Sequence, residues 1–199
     1  VYKRQSSNKV YDGTTTATTT LSFSGLVGSE TLGQTVGSTF SDKNVGTSKT
    51  VTVNSITLAD GTNGGLASNY TISSGQTTTA NITAKALSVS GITASNKVYD
   101  GTTSATLSTG AVVYGGLVSG DTLTGTYSGV FNNANVGNGK TVTITSSYGG
   151  ADVNNYTITD QASTTANVTT KSLTATASAA NKVYDCLLYT SDAADDLTR

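Results

Sequence analysis

LTGTYSGVF, Leu123–Phe131, decides how this chain folds. Leu123, Gly125, Tyr127, Gly129 and Phe131 take alternate positions, with Thr124, Thr126 and Ser128 between them. That two-residue period belongs to a strand with one dry face, and it points Tyr127 and Phe131 inward. Towards the C-terminus, Lys140–Ile144 repeats the pattern with Val142 and Ile144 inward and Thr141 and Thr143 outward. Asn138-Gly139 stands just before it, and because both residues tolerate positive φ the pair predicts a hairpin closed by a two-residue turn there. No stretch of the body carries apolar residues at i, i+3, i+4 and i+7 over three turns, so no helix is expected.

The neighbours of this stretch occur twice. GLVSGDTL at Gly116 answers GLVGSETL at Gly25, Phe131 answers Phe40, and NVGNGKTVTI at Asn135 answers NVGTSKTVTV at Asn44. NNYTI at Asn154 answers SNYTI at Ser68, and TTANVTTKSL at Thr164 answers TTANITAKAL at Thr78. NKVYDGTT opens both copies, at Asn8–Thr15 and Asn96–Thr103, and a third NKVYD begins at Asn181, giving steps of 88 and 85 residues. Such a fixed period marks tandem structural modules. The length differences fall in Gly- and Ser-rich patches, as loops do. In the first copy the turn is spelled Thr47-Ser48, which predicts the same hairpin with a different turn type.

Module seams are expected at Lys85-Ala86 and Lys171-Ser172, with Ala80–Ala84 as a closing strand and Leu87, Val89 and, after a kink at Gly91, Ile92 in the next. No flexible Gly/Ser or Pro-rich linker lies at either seam, so the joints should be stiff. A module of this size buries only a moderate fraction of its surface, and contact between neighbours should add to its stability. The first copy lacks its opening strand, which should leave a sheet edge exposed.

Composition agrees with an all-β reading. The chain has 199 residues, no Pro, His, Met or Trp, one Cys, a hydrophobic share of 35% and a net charge of -1. A large single core is not expected, and abundant β-branched Thr favours half-exposed pleated surfaces. Scattered Lys forms no basic stripe for nucleic acid, and no apolar run is long enough to insert in a membrane.

Both ends look foreign. A DNA word that encodes Val1–Gln5 also encodes, on the opposite strand, Cys186–Tyr189, and it resembles a transposase adapter used in preparing sequencing libraries. The expected organisation is therefore residues 1–5 as an adapter-derived scar, 6–85 as a first repeat, 86–171 as a second, 172–185 as the start of a third, and 186–199 as a second scar. Chemistry resting on Cys186 is excluded on that reading.

NKVYDGTT, GL-x-x-x-[DE]-TL, NVG-x-x-KTVT, NYTI and TTA-N-[IV]-T together resemble the YDG-type repeats of bacterial surface proteins, especially filamentous-haemagglutinin-like adhesins. The resemblance covers nearly all of residues 6–185. It implies an exported, mostly-β stalk on a bacterial cell surface, with no catalytic residues and no cofactor. The expected fold is all-β: tandem small antiparallel modules, sandwich-like or helix-poor β-grasp-like, set end to end as an elongated rod. The expected partners are neighbouring repeats of the same chain, with a host surface glycan or matrix protein as the alternative.

Six residues form the candidate structural motif: Tyr11, Asp12 and Gly13, and Tyr99, Asp100 and Gly101. Tyr should pack with Val at a strand end while Asp caps the turn that Gly permits. GNGKT at Gly137 lacks both the earlier Gly of a phosphate loop, where Ala134 stands, and a following helix. Asp12, Asp42, Asp60, Asp121, Asp152 and Asp160 were weighed as calcium ligands, but they lack the dense spacing of a calcium loop. Asn69, Asn81, Asn155 and Asn167 lie in N-x-T sequons on expected strands, read as chance in a Thr-rich chain. Lys49 and Lys140 recur with Asn69/Asn155 and Glu30/Asp121, a set that could form an amide cross-link, against the simpler reading that each Lys reaches solvent. Tyr114 and Tyr148, in expected loops, are the candidate glycan contacts. Without His, and with sparse unpaired carboxylates, the chain is not expected to be an enzyme.

Overall fold

The computed structural model describes residues 2–184, and the expected scar from Cys186 onward lies outside them, as does Asp185 of the third motif. The first repeat contains β1 (Tyr2–Ser6), β2 (Lys9–Val10), β3 (Thr16–Ala17), β4 (Thr19–Phe23), β5 (Leu32–Phe40), β6 (Gly46–Asp60) and β7 (Thr77–Thr83). The second contains β8 (Lys85–Ser90), β9 (Thr93–Ala94), β10 (Lys97–Val98), β11 (Ser104–Ala105), β12 (Leu107–Ser108), β13 (Val113–Gly115), β14 (Thr124–Phe131), β15 (Gly137–Gly149), β16 (Tyr156–Thr159) and β17 (Ser163–Thr169). Among the described residues there is no α-helix, only single 3₁₀ turns at Ala67–Asn69 and Val153–Asn155. The chain is all-β.

Each repeat builds the same five-stranded sheet, ordered β2-β7-β6-β5-β3 in the first and β10-β17-β15-β14-β11 in the second. The strands are not all antiparallel as expected. β2 runs parallel to β7 and β10 to β17, because the opening motif lies beside the closing strand of its own repeat and the whole module forms the crossover. The long hairpin pairs β14 with β15 from Thr124↔Gly149 to Phe131↔Val142, and its counterpart pairs β5 with β6. Burial follows the alternation expected of Leu123–Phe131: Tyr127 is half-buried, while Phe131, Val142 and Ile144 are buried.

The Asn138-Gly139 turn is a correction. The hairpin connection is Asn132–Val136, and Asn138-Gly139 forms a bulge inside β15, where the pairing with β17 shifts between Gly137 and Lys140. A left-handed residue serves a bulge as readily as a primed turn, and Gly139 has φ +57°. Ser48 takes the same conformation, φ +51°, so the two copies do not differ there. The side chains of Asn167 and Asn81 accept the bulge N–H groups of Gly139 and Ser48, both at 2.7 Å, which gives these two sequon asparagines a structural task.

The N-terminal segment is a second correction. Residues set aside as foreign pair with β4 from Tyr2↔Phe23 to Ser6↔Thr19, since extended backbone reaching an open edge satisfies its own hydrogen-bonding groups as well as those of the edge. In the second repeat, β8 lies between β13 and β16 in a three-stranded sheet. The first repeat has no counterpart of β8, and its Tyr70–Ser73, spelled like the start of β16, forms no strand. Gly91 makes the expected kink at φ +87°; a Cβ there would stand 2.1 Å from the Ala111 carbonyl oxygen.

Candidate functional site

NKVYDGTT can be read atom by atom. The Asn8 and Asn96 side chains accept the N–H of Asn81 and Asn167 at 2.8 and 2.7 Å, fixing the motif beside the closing strand. Lys9 and Lys97 cross the faces of Phe40 and Phe131, with Nζ 5.6 and 5.5 Å from the ring centres. Each then donates to the following Asp and to the carbonyl and hydroxyl of Thr14 or Thr102. Asp12 and Asp100 accept the N–H two residues on, at 2.8 and 2.9 Å, the Asx turn expected of them. Lys97 is the main reason the Asp100 carboxyl falls to about 2. Gly13 and Gly101 both have φ +78°. Thr15 and Thr103 accept the N–H of Phe40 and Phe131.

Tyr departs from expectation. Val10 and Val98 are 56% and 55% exposed, so Tyr packs with neither. Tyr11 instead leaves its own repeat and enters the second. Its hydroxyl lies 2.8 and 3.0 Å from the two Asp121 carboxylate oxygens, to which it donates, and its ring meets Tyr156 edge-on at 5.6 Å. Tyr156 donates to the same carboxylate at 2.6 Å, and accepts the Val118 N–H at 2.9 Å. Lys43, also from the first repeat, bridges Asp121 at 3.1 Å and Asp152 at 3.0 Å. Asn155 accepts the Val45 N–H at 3.0 Å and donates to Asn44 at 3.2 Å. The seam is thus a joint made of side chains from both repeats, and one apolar cluster runs through it from Phe40, Val51 and Ile82 to Leu87, Val89 and Ile92.

Charge and burial at this joint are balanced around Asp121, whose side chain is 2% exposed. Burial by itself would raise its carboxyl, but the hydrogen bonds from Tyr156, Tyr11 and Lys43 outweigh that and hold it below the usual range. Burial and the same carboxylate push Tyr156 up to about 12 and raise Tyr11 as well. Lys43 is raised by Asp152 and Asp121. Two phenols and an ammonium therefore hold one carboxylate anionic.

Half-joints at the two ends show what the contact contributes. Tyr99 has the same backbone bond as Tyr11, to Thr169 instead of Thr83, yet it is 40% exposed against 1%. The acceptor half recurs in the first repeat, where Tyr70 donates to Glu30 and accepts the Val27 N–H. Val27 and Asn69 are exposed there, whereas Val118 is half-buried and Asn155 buried in the joint. Lys43, Asn155 and Asp152 were not singled out as joint residues by sequence. The recurring order of Glu30 with Tyr70 and Asp121 with Tyr156 was the available signal.

Other candidates fall elsewhere. Lys49 pairs with Asp42 at 2.6 Å, and Lys140 is buried against the carbonyls of Asn133 and Asn135, so neither meets Asn69/Asn155 or Glu30/Asp121. This corrects both the cross-link and the solvent-reaching reading of Lys140, whose ammonium satisfies loop carbonyls. Asp60 accepts the Ala67 N–H, and Asp160 accepts the Tyr148 hydroxyl. Among the described residues no three acidic, His or Cys side chains are grouped to hold a metal. Tyr114 and Tyr148 lie on β13 and β15, not in loops, and are half-buried around Tyr127; the Tyr114 and Tyr127 hydroxyls are 3.0 Å apart.

Fold and joint together define a class: tandem all-β modules that repeat one topology and interlock through their opening motif. The chain belongs to the YDG domain family, which matches residues 1–80 and again 83–166. No curated protein and no solved structure matches it.

Proposed function

We propose that these YDG modules are spacer segments of a large exported bacterial surface adhesin, holding a distal adhesive region away from the cell. The observation that carries this reading is the joint: Tyr11 and Lys43 of one repeat are tied to Asp121, Asp152 and Tyr156 of the next. A joint with directional bonds and a continuous apolar cluster resists bending, which is what a spacer needs. Adhesive loops, by contrast, need not restrain their neighbours. Small-angle scattering of the chain at high dilution tests the reading. An elongated particle with fixed inter-module distance is expected, and a compact or freely hinged one counts against it. Glycan-array binding by the same chain would favour modules that are themselves adhesive.

A further inference from the structure

We propose that the first repeat has an open strand-binding groove, and that its occupant is Lys171–Thr174 of a second copy of this chain. The groove is walled by Phe23–Leu26 on one side and Tyr70–Ile72 on the other, with Leu32 and Leu58 lining it. In the second repeat, the same two walls are the strands that flank β8. Tyr114 and Gly115 of β13, the counterparts of Phe23 and Ser24, pair antiparallel with Val89 and Ser88. Tyr156–Ile158 of β16, the counterparts of Tyr70–Ile72, pair parallel with Lys85–Leu87. β8 there buries Leu87 and Val89 to 2% and 5% exposure.

The first repeat offers the same walls without the strand. β1 takes the edge of β4 as far as Phe23, opposite Tyr2, and the groove opens beyond it along Ser24–Leu26. The consequence is visible in backbone: Tyr-Thr-Ile is strand at 156–158 and irregular at 70–72. A strand without a partner on that side leaves its N–H and C=O groups to water.

The chain also carries the missing piece. KSLT at Lys171–Thr174 matches KALS at Lys85–Ser88, with Leu173 in the place of Leu87. Residues 171–184 form no regular structure, and Leu173 is 92% exposed. Within the chain, β8 follows β7 directly and enters the next repeat's sheet. A second copy would repeat that step between molecules, with backbone pairing giving affinity and Leu173 giving register. Tyr99, 40% exposed, would then meet the Tyr70–Glu30 pair as Tyr11 meets Tyr156 and Asp121. The contact is head-to-tail, so it continues to longer chains instead of stopping at a dimer.

Sedimentation of the 199-residue chain over a wide concentration series tests this. The weight-average mass should rise from 20.0 kDa towards its multiples. Leu173→Asp, placed in a segment with no regular structure, should hold it at 20.0 kDa without lowering the melting temperature. A synthetic KALSVSGI peptide should block the growth and slow amide exchange at Tyr70–Ile72. Mass fixed at 20.0 kDa at every concentration, growth that Leu173→Asp leaves intact, or a peptide without effect on exchange each overturns the proposal. The spacer reading, tested at high dilution, is decided separately.

Discussion

The same tyrosine occupies two environments in one molecule, which makes its contribution measurable. Tyr11 and Tyr99 share a motif, a glycine conformation and a backbone bond, and differ in what lies beyond the ring. Tyr11→Phe removes a donor to a buried carboxylate, where hydrogen bonds to charged groups contribute about 1.5–3 kcal/mol. Tyr99→Phe removes a partly exposed hydroxyl and should fall within about 0.5 kcal/mol of wild type. Urea denaturation of the two variants checks this, and equal costs would place the value of the motif inside its own repeat. The role of Asp12 and Gly13 was legible in sequence, because an Asx turn followed by a left-handed glycine is local chemistry. The destination of Tyr11 was not. A side chain that leaves its module is set by the neighbour's surface, 110 residues further along for Asp121, and nothing in its own eight letters encodes that.

Strands were legible wherever one face is dry. Leu123–Phe131 and Lys140–Ile144 showed their inward faces, since each strand has only one core to meet. Asn138-Gly139 misled because a left-handed pair is a local preference that two different structures satisfy, and pairing with β17 selects the bulge. The first repeat places a non-glycine residue at that point: Ser48 holds φ +51° where Gly139 holds +57°. Left-handed backbone costs an L-residue roughly 1–2 kcal/mol, so Ser48→Gly should stabilise the first repeat by up to about that amount. The reverse change, Gly139→Ser, should destabilise the second by a similar margin. Thermal melts of both variants give the signs, and a destabilising Ser48→Gly would mean that its side chain matters more than its backbone. The parallel β2–β7 and β10–β17 pairs escaped the sequence reading for a related reason: two-residue strands have too few side chains to show a period.

Over the whole molecule, the joint makes the coupling between repeats depend on pH in a defined window. The Asp121 carboxyl is held below its ordinary 3.8, so its contribution is fully present above 3.8 and is lost as pH falls through the lowered folded value. Tyr156 is raised from 10.0 to about 12, so the neutral phenol's contribution is fully present below 10.0 and is lost as pH rises through about 12. Tyr11 is raised for the same two reasons, burial and the Asp121 carboxylate, and acts in the same direction. Coupling should therefore be flat across neutral pH and fall at both ends. Acid also weakens each repeat by itself, since Asp42 and Asp100 are lowered by their own lysines, so the melting temperature alone does not isolate the joint. Cooperativity does: two coupled repeats unfold with a calorimetric-to-van't Hoff enthalpy ratio above that of separate ones. Scanning calorimetry should give one merged transition at neutral pH that splits in two as pH drops below 3.8. Asp121→Asn keeps the side chain's size but loses the charge that Lys43, Tyr11 and Tyr156 surround, so it should show the split already at neutral pH. Identical traces for wild type and Asp121→Asn, merged at every pH, would mean that the apolar cluster couples the repeats without help from these charges.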